Sequence, residues 1–390
     1  MKLFVLLSRV PYPLEKGDKL RAFNQLKVLS EQHDIYLFAL NDVALHEDAV
    51  SVLSSFCKEV RIFNLPRRGI LWSLIRFFFS DKPLQCGYFY NPKAQAEITE
   101  WIAEIKPEHI YTQLIRTAEY VKNQPIEKTL DYQDVFSKGM LRLMMRAPLW
   151  KRWAYALEHR RLVKYERDIF PYFKHKTIIT GVDRDLIVHP NGRDIVVVPN
   201  GVDFELFHPV ECEKEYDLIF TGNMSYLPNI YAAEYIVNEI LPQLLVKYPN
   251  LRIVLCGATP SARVKQLQSK HVEVTGWVKD IQEYYAKSRL FLAPMEVGTG
   301  LQNKLLEAMA MKIPCISSLL ASMPLSAVNQ KDIVICSSLS EYVHAIEALL
   351  SQPKWYEFIA ENGYKFVHEN YNWEHTTQIL NDLICKTHAE

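Results

Sequence analysis

The feature that most constrains the fold is an alternation of short apolar runs with longer amphipathic segments, and it occurs twice along the chain. Runs rich in β-branched and aromatic residues predict strands, and the segments between them show helical periodicity. In the first half, strands are predicted at 2–8, 34–40, 59–65, 109–114, 128–132, 176–180 and 194–199. In the second half, they are predicted at 216–222, 251–257, 272–276, 289–294, 313–318 and 332–337. This pattern is typical of βαβ units, so we expect an α/β protein with two doubly wound, Rossmann-like domains.

Length and helical pattern together predict the domain boundaries. A chain of 390 residues exceeds what one hydrophobic core usually holds. We predict one domain over 1–200, a second over 201–365, and a C-terminal helix over 366–390 that returns to the first domain. Helices are predicted at 19–32, 93–105, 137–170, 229–248 and 301–311. A cleft between the two domains would face the carboxyl ends of both sheets, where open α/β sheets bind ligands.

Composition and charge argue against several classes of protein. No apolar run approaches the roughly 18 residues that a membrane-spanning helix needs. The seven cysteines form no Cys-x-x-Cys pair, which favours reduced thiols and a cytoplasmic location. The first 200 residues hold 30 Lys and Arg against 23 Asp and Glu, which leaves 15 against 22 for the rest. Because the net charge is zero and no reading motif is present, we expect no nucleic-acid partner.

The loops that follow the first strand of each domain lack the usual dinucleotide and triphosphate motifs. Only Gly17 lies in the loop after the first strand, and only Gly222 in the corresponding loop of the second domain. A dinucleotide site needs Gly-x-Gly-x-x-Gly, because the pyrophosphate must approach bare backbone. Hydride transfer and ATP hydrolysis are therefore not favoured.

The stretch GTGLQNKLLEAMAM (298–311) places two glycines ahead of a predicted helix that carries one lysine and one glutamate. Gly298 and Gly300 can expose N–H groups at the helix start, where the dipole favours a phosphate. Lys304 lies about one turn into the helix, and Glu307 follows on the same face, where its carboxylate can accept hydrogen bonds from a ribose diol. A site for a nucleoside diphosphate fits these parts. The alternative is an ordinary helix start with a solvated or paired Lys–Glu couple, and spacing alone leaves both open.

The same stretch belongs to a series of motifs that resembles a known family. The motifs are GTGLQNKLLEAMAMKIPCI (298–316), VVVPNGVDFELFHP (196–209), YDLIFTGNMSYLPN (216–229), VEVTGWVKD (272–280) and YNWE (371–374). Together with the N-terminal strand, loop and helix, they resemble the family-four retaining glycosyltransferases of the GT-B fold, in the right order over nearly the whole chain. DYQDVFS (131–137) and YERDIF (165–170) are similar to a subgroup associated with polysaccharide and exopolysaccharide assembly.

The resemblance implies a function and a mechanism. Members transfer a sugar, with retention of configuration, from a nucleoside-diphosphate sugar to a hydroxyl of a glycan or lipid-linked glycan. The sugar donor sits on the second domain, the acceptor enters over the first, and the last helix crosses back. A protein nucleophile, a cofactor and a metal ion are usually unnecessary. Alternatives are a sugar-nucleotide epimerase of similar form and a non-catalytic sugar-nucleotide-binding protein.

The resemblance also implies the residues that hold the sugar donor. It assigns them as Gly17, Gly222, Asn223, Trp277, Val278, Thr299, Gly300, Leu301, Lys304 and Glu307. Glu307 would hold the ribose, and both Lys304 and Glu307 are the predicted catalytic residues. Two positions depart from the family: Thr299 replaces a glutamate that contacts the transferred sugar, and Asn223 replaces a basic residue aimed at the diphosphate. These departures motivate the non-catalytic alternative.

Residues at strand ends of the first domain are candidates for the acceptor side. Gln113, Arg116 and Asp134 follow two such ends and are expected to face the cleft, although helix caps and surface pairs explain them equally well. Asp183-Arg184-Asp185 has the Asp-x-Asp form of metal-dependent glycosyltransferases of the other major fold. A three-residue match is weak, so we expect a surface turn there and no metal site.

Two segments of the first domain combine aromatic and basic residues. They are RRGILWSLIRFFF (67–79) and GMLRLMMRAPLWKRWAYALEHRRLVKYER (139–167). Such segments can lie on anionic membranes, which would place the protein at the inner face of the cell membrane and suit a lipid-linked acceptor. The alternative is a core helix with arginines that reach the solvent, followed by a long solvated scaffold helix.

Overall fold

The computed structural model describes residues 1–296 and 300–386, and the chain divides into two compact units. The first unit comprises Met1–Pro199 and the residues from Thr376 onward, and the second comprises Asn200–His375. The predicted boundaries were residues 200 and 365. Both the first and the last described residues therefore belong to the first unit.

The first unit contains a seven-stranded parallel sheet in the order β3-β2-β1-β4-β5-β6-β7. Its strands are β1 (Lys2–Leu7), β2 (Asp34–Asn41), β3 (Glu59–Asn64), β4 (His109–Gln113), β5 (Lys128–Asp131), β6 (His175–Ile178) and β7 (Val196–Val197). The strand order reverses between β1 and β4, as in other doubly wound sheets. All seven strands were predicted from their apolar runs.

Nine helices precede the second unit in the described chain. They are α1 (Gly17–Leu29), α2 (Ala49–Ser54), α3 (Arg67–Phe78), α4 (Leu84–Phe89), α5 (Pro92–Ile105), α6 (Ala118–Val121), α7 (Phe136–Arg146), α8 (Leu149–Asp168) and α9 (Gly181–Arg184). Short 3-10 turns lie at Phe170–Tyr172 and Gly192–Asp194. Asn91 caps α5 by accepting from Lys93 N, which satisfies one of the free N–H groups at the helix start.

The predicted helix over 137–170 is interrupted, and this part of the prediction was wrong. The chain forms α7 and α8 with a break at Ala147 and Pro148. Proline lacks an N–H and disfavours helical geometry at the residue before it, so Ala147 is extended, with ψ of 149°. α7 and α8 therefore form a helical hairpin.

A buried ion pair holds α1 against the sheet of the first unit. Both Arg21 and Asp131 are fully buried, and Arg21 Nε lies 2.6 Å from Asp131 Oδ2. Thr177 Oγ1 donates to Asp131 Oδ1 at 2.9 Å, so the carboxylate has several partners. Satisfied partners are what make a buried charge tolerable.

The second unit contains a six-stranded parallel sheet in the order β10-β9-β8-β11-β12-β13. Its strands are β8 (Tyr216–Thr221), β9 (Ile253–Cys256), β10 (Val272–Gly276), β11 (Ser288–Ala293), β12 (Cys315–Ser318) and β13 (Val334–Cys336). The order reverses between β8 and β11, so the loops that leave these two strands diverge at the carboxyl edge. All six strands lie where the apolar runs predicted them.

The helices of this unit cover both faces of its sheet. They are α10 (Leu227–Tyr235), α11 (Leu241–Leu245), α12 (Ala262–Lys265), α13 (Ile281–Ala286), α14 (Asn303–Ala310), α15 (Leu319–Ser322), α16 (Leu339–Ser351) and α17 (Pro353–Asn370). A π-helical turn, Ile236–Ile240, joins α10 to α11, and a 3-10 turn spans Met323–Leu325. One core of apolar side chains runs through the unit, from Val202 to Tyr371.

The last helix, α18 (Trp373–Lys386), enters the first unit from Thr376 onward. Leu380 and Ile384 join a buried cluster with Leu3 and Leu26, and His33 Nε2 lies 2.6 Å from Asn381 Oδ1. The predicted return of the final helix is confirmed. None of the helices in the described ranges is both long enough and apolar enough to cross a bilayer.

Candidate functional site

The predicted site of the second unit lies where its strand order reverses. β8 ends at Thr221, and Gly222 follows; β11 leads through Gly300 to α14. Gly300 has a φ of +77° and no atom near the position of a side chain, so the turn into the helix suits glycine. The inner face of α14 is buried, and Lys304 and Glu307 lie on the partly exposed side.

Lys304 reaches back from α14 to the end of β8. Its Nζ donates to Asn229 Oδ1 at 2.7 Å and lies 4.4 Å from the centre of the Phe220 ring. Burial lowers the pKa of Lys304 to about 7, while the charge of Glu307 opposes this shift. Because burial disfavours the charged form of the lysine, an anion placed beside Nζ would stabilise that form and would be bound in turn.

Glu307 is held by a buried tyrosine that the sequence did not single out. The Tyr285 hydroxyl donates to Glu307 Oε2 at 2.9 Å and lies 2.7 Å from Thr221 Oγ1. Tyr285 has one proton to give, so the Thr221 hydroxyl donates to the tyrosine oxygen. Burial raises the pKa of Glu307, and the Tyr285 hydrogen bond and the charge of Lys304 oppose this. Lys304 and Glu307 thus have separate partners, unlike the paired couple of the alternative interpretation.

Gly222 makes this arrangement sterically possible. Its φ is +150°, and a side-chain carbon there would lie 2.7 Å from Asn229 Nδ2 and 3.1 Å from Lys304 Nζ. A side-chain carbon on Gly257 would lie only 1.9 Å from the Gly222 carbonyl oxygen. Two glycines are therefore needed where the ends of β8 and β9 approach each other.

Asn223 uses its side chain within the turn after β8. Its Oδ1 accepts from Ser225 N at 2.9 Å and from Thr259 Oγ1 at 3.0 Å, and its carbonyl oxygen accepts from Asn229 Nδ2. The residue therefore orders the loop and positions Asn229, the partner of Lys304. It supplies no positive charge, in agreement with the departure noted in the sequence.

The remaining predicted sugar-donor residues differ in their position and exposure. Trp277 follows β10 and is 70% exposed, whereas Val278 and Leu301 are partly buried against the core of the second unit. Thr299 lies outside the described residues. Gly17 is exposed at the start of α1 in the first unit, with no atom near the position of a side chain.

Gln113, predicted on the acceptor side, is largely buried, and its role toward an acceptor stays a prediction. The residue is only 3% exposed, and its amide is bonded on both sides. Its Nε2 donates to Gln25 Oε1 at 2.8 Å, and its Oε1 accepts from Gln133 Nε2 at 2.8 Å. Gln113 belongs to a buried polar network that joins α1 to the strands.

Arg116 and Asp134 are partly buried in the first unit. The Arg116 guanidinium lies 4.6 Å from the Phe136 ring and 5.1 Å from the Phe89 ring, and burial lowers its pKa to about 10. It therefore remains a cation at neutral pH. Burial raises the pKa of Asp134, whose Oδ1 accepts from Val135 N at 2.7 Å. Their role toward an acceptor stays a prediction.

The Asp-x-Asp segment, Asp183–Asp185, takes part in the N-terminal cap of α9. Thr180 accepts from Asp183 N and donates to the buried Asp183 carboxylate, while Asp185 is exposed beside Arg184. Across residues 1–296 and 300–386, no group of three or more His, Cys, Asp or Glu side chains is placed to bind a metal ion.

A polar cavity of about 550 Å³ lies elsewhere, in the first unit. It is bordered by Phe77, Tyr90 and Tyr120 and by Glu119, whose carboxylate binds Lys122 at 2.9 Å and also Lys82. None of the predicted sugar-donor or acceptor residues lines it.

A family model matches most of the second unit. Residues 215–352 match the model described as Glycosyl transferases group 1. Over these residues the chain is similar to the group 1 glycosyltransferases. This match spans the site around Lys304 and Glu307, and it confirms the glycosyltransferase resemblance of the sequence motifs.

Comparison of whole chains extends the likeness beyond residues 215–352. An uncharacterized 44.6 kDa protein in the cps region of Klebsiella pneumoniae is 22% identical, over 95% of this chain and 96% of its own length. Sucrose-phosphate synthase from Thermosynechococcus elongatus has a similar structure, with a TM-score of 0.70 at 14% identity and full coverage of both chains. Anabaena Alr3699/HepE, solved with UDP and glucose, matches with a TM-score of 0.71 at 12% identity, over 99% of this chain and 100% of its own. These structural likenesses confirm the GT-B fold.

Proposed function

We propose that the protein transfers a sugar from a nucleoside-diphosphate sugar to a hydroxyl group of a glycan, in polysaccharide biosynthesis. The observation that carries this proposal is the meeting of Lys304, Gly222 and Glu307 at the strand reversal of the second unit. The cps-region relative and the UDP complex of the structural neighbour agree with the proposal.

The diphosphate of the sugar donor would bind at the start of α14. Backbone N–H groups of the first turn point toward the loop, and the helix dipole favours negative charge there. Lys304 would exchange its hydrogen bond with Asn229 for one to a phosphate oxygen, or would make both, because an ammonium group has three N–H donors. Glu307, fixed by Tyr285, would accept hydrogen bonds from the ribose.

The reaction would proceed with retention, by attack on the face from which the diphosphate leaves. The bond between the anomeric carbon and the diphosphate oxygen breaks, and the acceptor oxygen forms the new glycosidic bond. The acceptor proton passes to the leaving diphosphate oxygen. The contribution of Lys304 and the α14 N–H groups would be to stabilise charge that develops on the diphosphate. Because these groups supply positive charge themselves, we propose that transfer needs no divalent metal and no cofactor.

Binding and transfer assays on the purified protein test the proposal. The panel of ligands is UDP, GDP, CDP and ADP, with their common sugar conjugates. Thermal shifts with and without divalent metal identify the nucleotide, and mass spectrometry of donor and acceptor detects transfer. We expect one nucleoside diphosphate series to raise the melting temperature, independently of metal. Lys304→Ala and Glu307→Ala should weaken this binding.

A matched pair of residues provides the control. Lys354 and Glu357 have the same spacing on the exposed face of α17 in the same unit, so Lys354→Ala and Glu357→Ala should bind like the wild type. Wild-type binding by the Lys304 and Glu307 variants would show that the site is elsewhere. Tight binding without transfer would support the non-catalytic alternative, and an epimerised sugar donor formed without acceptor would support the epimerase.

A further inference from the structure

One helix of the first unit presents large apolar side chains to solvent. The buried side of α3 carries Ser73 and Phe77. On the opposite side, Trp72 is 73% exposed and Phe79, just past the helix end, is 83% exposed. Other exposed apolar residues of this stripe are Leu71, Ile75 and Phe78. The interpretation of this segment as a core helix is therefore wrong.

Positive charge surrounds the apolar stripe of α3. At about 100° per residue, Arg67 and Arg76 project at opposite edges of the stripe, and Arg68 lies within its first turn. All three arginines are exposed. Residues 66–80 contain no Asp or Glu.

A second exposed apolar segment forms the tip of the α7–α8 hairpin. Leu149 is 79% exposed and Trp150 is 70% exposed, and Met145 and Trp153 are exposed beside them. Lys151 lies 4.7 Å from the centre of the Trp150 ring. Residues 136–157 contain no Asp or Glu.

The two segments are anchored to each other. Arg161 of α8 donates to the carbonyl oxygens of Phe77 and Phe78 at the end of α3, at 3.4 and 2.8 Å. Trp153 lies eight residues from Arg161, about 12 Å along the helix. The apolar stripe and the hairpin tip therefore flank one junction. Together, residues 67–79 and 142–153 are called the aromatic basic face below.

We propose that the aromatic basic face docks the protein on the surface of an anionic lipid bilayer. Tryptophan and phenylalanine side chains partition into the boundary between headgroups and acyl chains, and flanking cations bind anionic headgroups. Every charged side chain of the two segments is a cation, so the face complements a negatively charged surface. Several large apolar side chains exposed next to one another are unusual for a protein without a partner.

Docking at a bilayer also defines a class of acceptor. A glycan carried on a lipid would be presented at the surface to which the aromatic basic face binds. This last step rests on the proposed function, whereas the docking itself rests only on the exposed side chains of the first unit.

Flotation of the full chain with vesicles tests the docking without any sugar donor. The probes are vesicles of phosphatidylcholine alone and of phosphatidylcholine with phosphatidylglycerol. We expect recovery with the anionic vesicles, and a decline as salt rises from about 0.05 to about 0.5 M. Because each cation near the surface contributes about fivefold, Arg67→Ala, Arg68→Ala and Arg76→Ala combined should weaken binding about 100-fold. Trp72→Ser with Phe79→Ser, and Trp150→Ser with Trp153→Ser, should each weaken it at least about tenfold.

Phe358→Ser is the matched control, because Phe358 is an exposed aromatic residue of α17 in the second unit. It should float like the wild type. Equal recovery of the wild type with and without anionic vesicles would overturn the proposal. So would a loss of vesicle binding by Phe358→Ser as large as the loss by the aromatic double variants. A concentration-dependent dimer that Trp72→Ser with Phe79→Ser disperses, without vesicle binding, would assign the face to a second copy instead. Because nucleotide binding is measured separately without vesicles, failure here leaves the proposed function standing.

Discussion

Gly222 and Lys304 approach so closely that a side-chain carbon on Gly222 would lie 3.1 Å from the lysine ammonium nitrogen. We predict that Gly222→Ala destabilises the protein by about 1–3 kcal/mol, since φ at this position is +150° and the new methyl group would displace Asn229. Binding of the nucleoside diphosphate should weaken as well, because Lys304 moves with its partner. Chemical denaturation and calorimetric titration measure the two effects.

Gly139→Ala serves as the control for the glycine substitution. Gly139 lies within α7 with no atom near the position of a side chain. An alanine there should stabilise the helix by about 0.5–1 kcal/mol. Equal behaviour of the two variants would contradict the steric role of Gly222.

A second prediction concerns the pH dependence of sugar-donor binding. Free Lys304 loses its proton near pH 7, while a bound diphosphate would keep the lysine protonated to higher pH. Affinity should therefore fall as pH rises from 7 toward 10, by up to about tenfold per pH unit. Titration across this range with a nucleoside-diphosphate sugar checks the slope. Lys304→Arg, which stays charged, should flatten the profile; an unchanged slope would rule out Lys304 as its source.

The same lysine should affect stability with a defined sign. Between pH 7 and about 10.4, Lys304 holds a proton in the unfolded protein that it does not hold in the folded protein. The free energy of unfolding therefore increases, and the folded protein becomes more stable, as pH rises through this range. Below pH 7, the full cost of burying the charge applies. We expect Lys304→Met to stabilise the protein at pH 6 and to have a smaller effect at pH 10. Denaturant midpoints of both proteins at the two pH values measure the difference, and a larger gain at pH 10 would contradict it.

The Tyr285 hydroxyl connects Glu307 to the end of β8. Tyr285→Phe leaves the Thr221 hydroxyl and the Glu307 carboxylate without this partner, and should cost about 1–3 kcal/mol in the free energy of unfolding. The pKa of Glu307 should rise further, because the hydrogen bond from Tyr285 lowers it. The acid limb of nucleotide binding should then move to higher pH. Tyr284→Phe, on the adjacent residue of α13, is the control and should leave that limb in place.

The buried pair of the first unit gives a stability test away from the site. Arg21→Met removes the cation from a fully buried Asp131, and should destabilise the protein by about 3–5 kcal/mol. Combining it with Asp131→Asn should recover part of this loss, because no buried charge then remains unpaired. Thermal denaturation of the single and double variants measures the coupling, and strictly additive losses would contradict it.

The sheets could be predicted because buried parallel strands are continuous apolar runs, bounded by polar turns. Lys304 and Glu307 could be singled out from the sequence because their spacing from Gly300 is local, and their role in binding stays a prediction. Their partners Asn229 and Tyr285 lie 75 and 22 residues away in the sequence, and neither carries a signal of its own. Such contacts arise only when the strands are brought side by side.

Three places where the structure differs from the expectation also have physical causes. Gln113 follows a strand end, as an accessible residue would, but Gln25 and Gln133 from other elements enclose it. The break between α7 and α8 had a local signal in Pro148, which a periodic apolar pattern outweighed. Hydrophobic periodicity also left a core helix open as the alternative for α3, since the pattern shows which face is apolar and not what covers it.

The return of the last helix sets an order for biosynthesis. Leu380 and Ile384 pack in a buried cluster with Leu3 of the first sheet and Leu26 of α1, and Asn381 contacts His33. A ribosome makes these partners more than 340 residues apart, as the separation of 348 between His33 and Asn381 shows. Most of the second unit is therefore synthesised before α18, whereas the buried cluster around Leu3 lacks this cover until α18 is made. A chaperone that shields nascent apolar surface would act longest on the first unit.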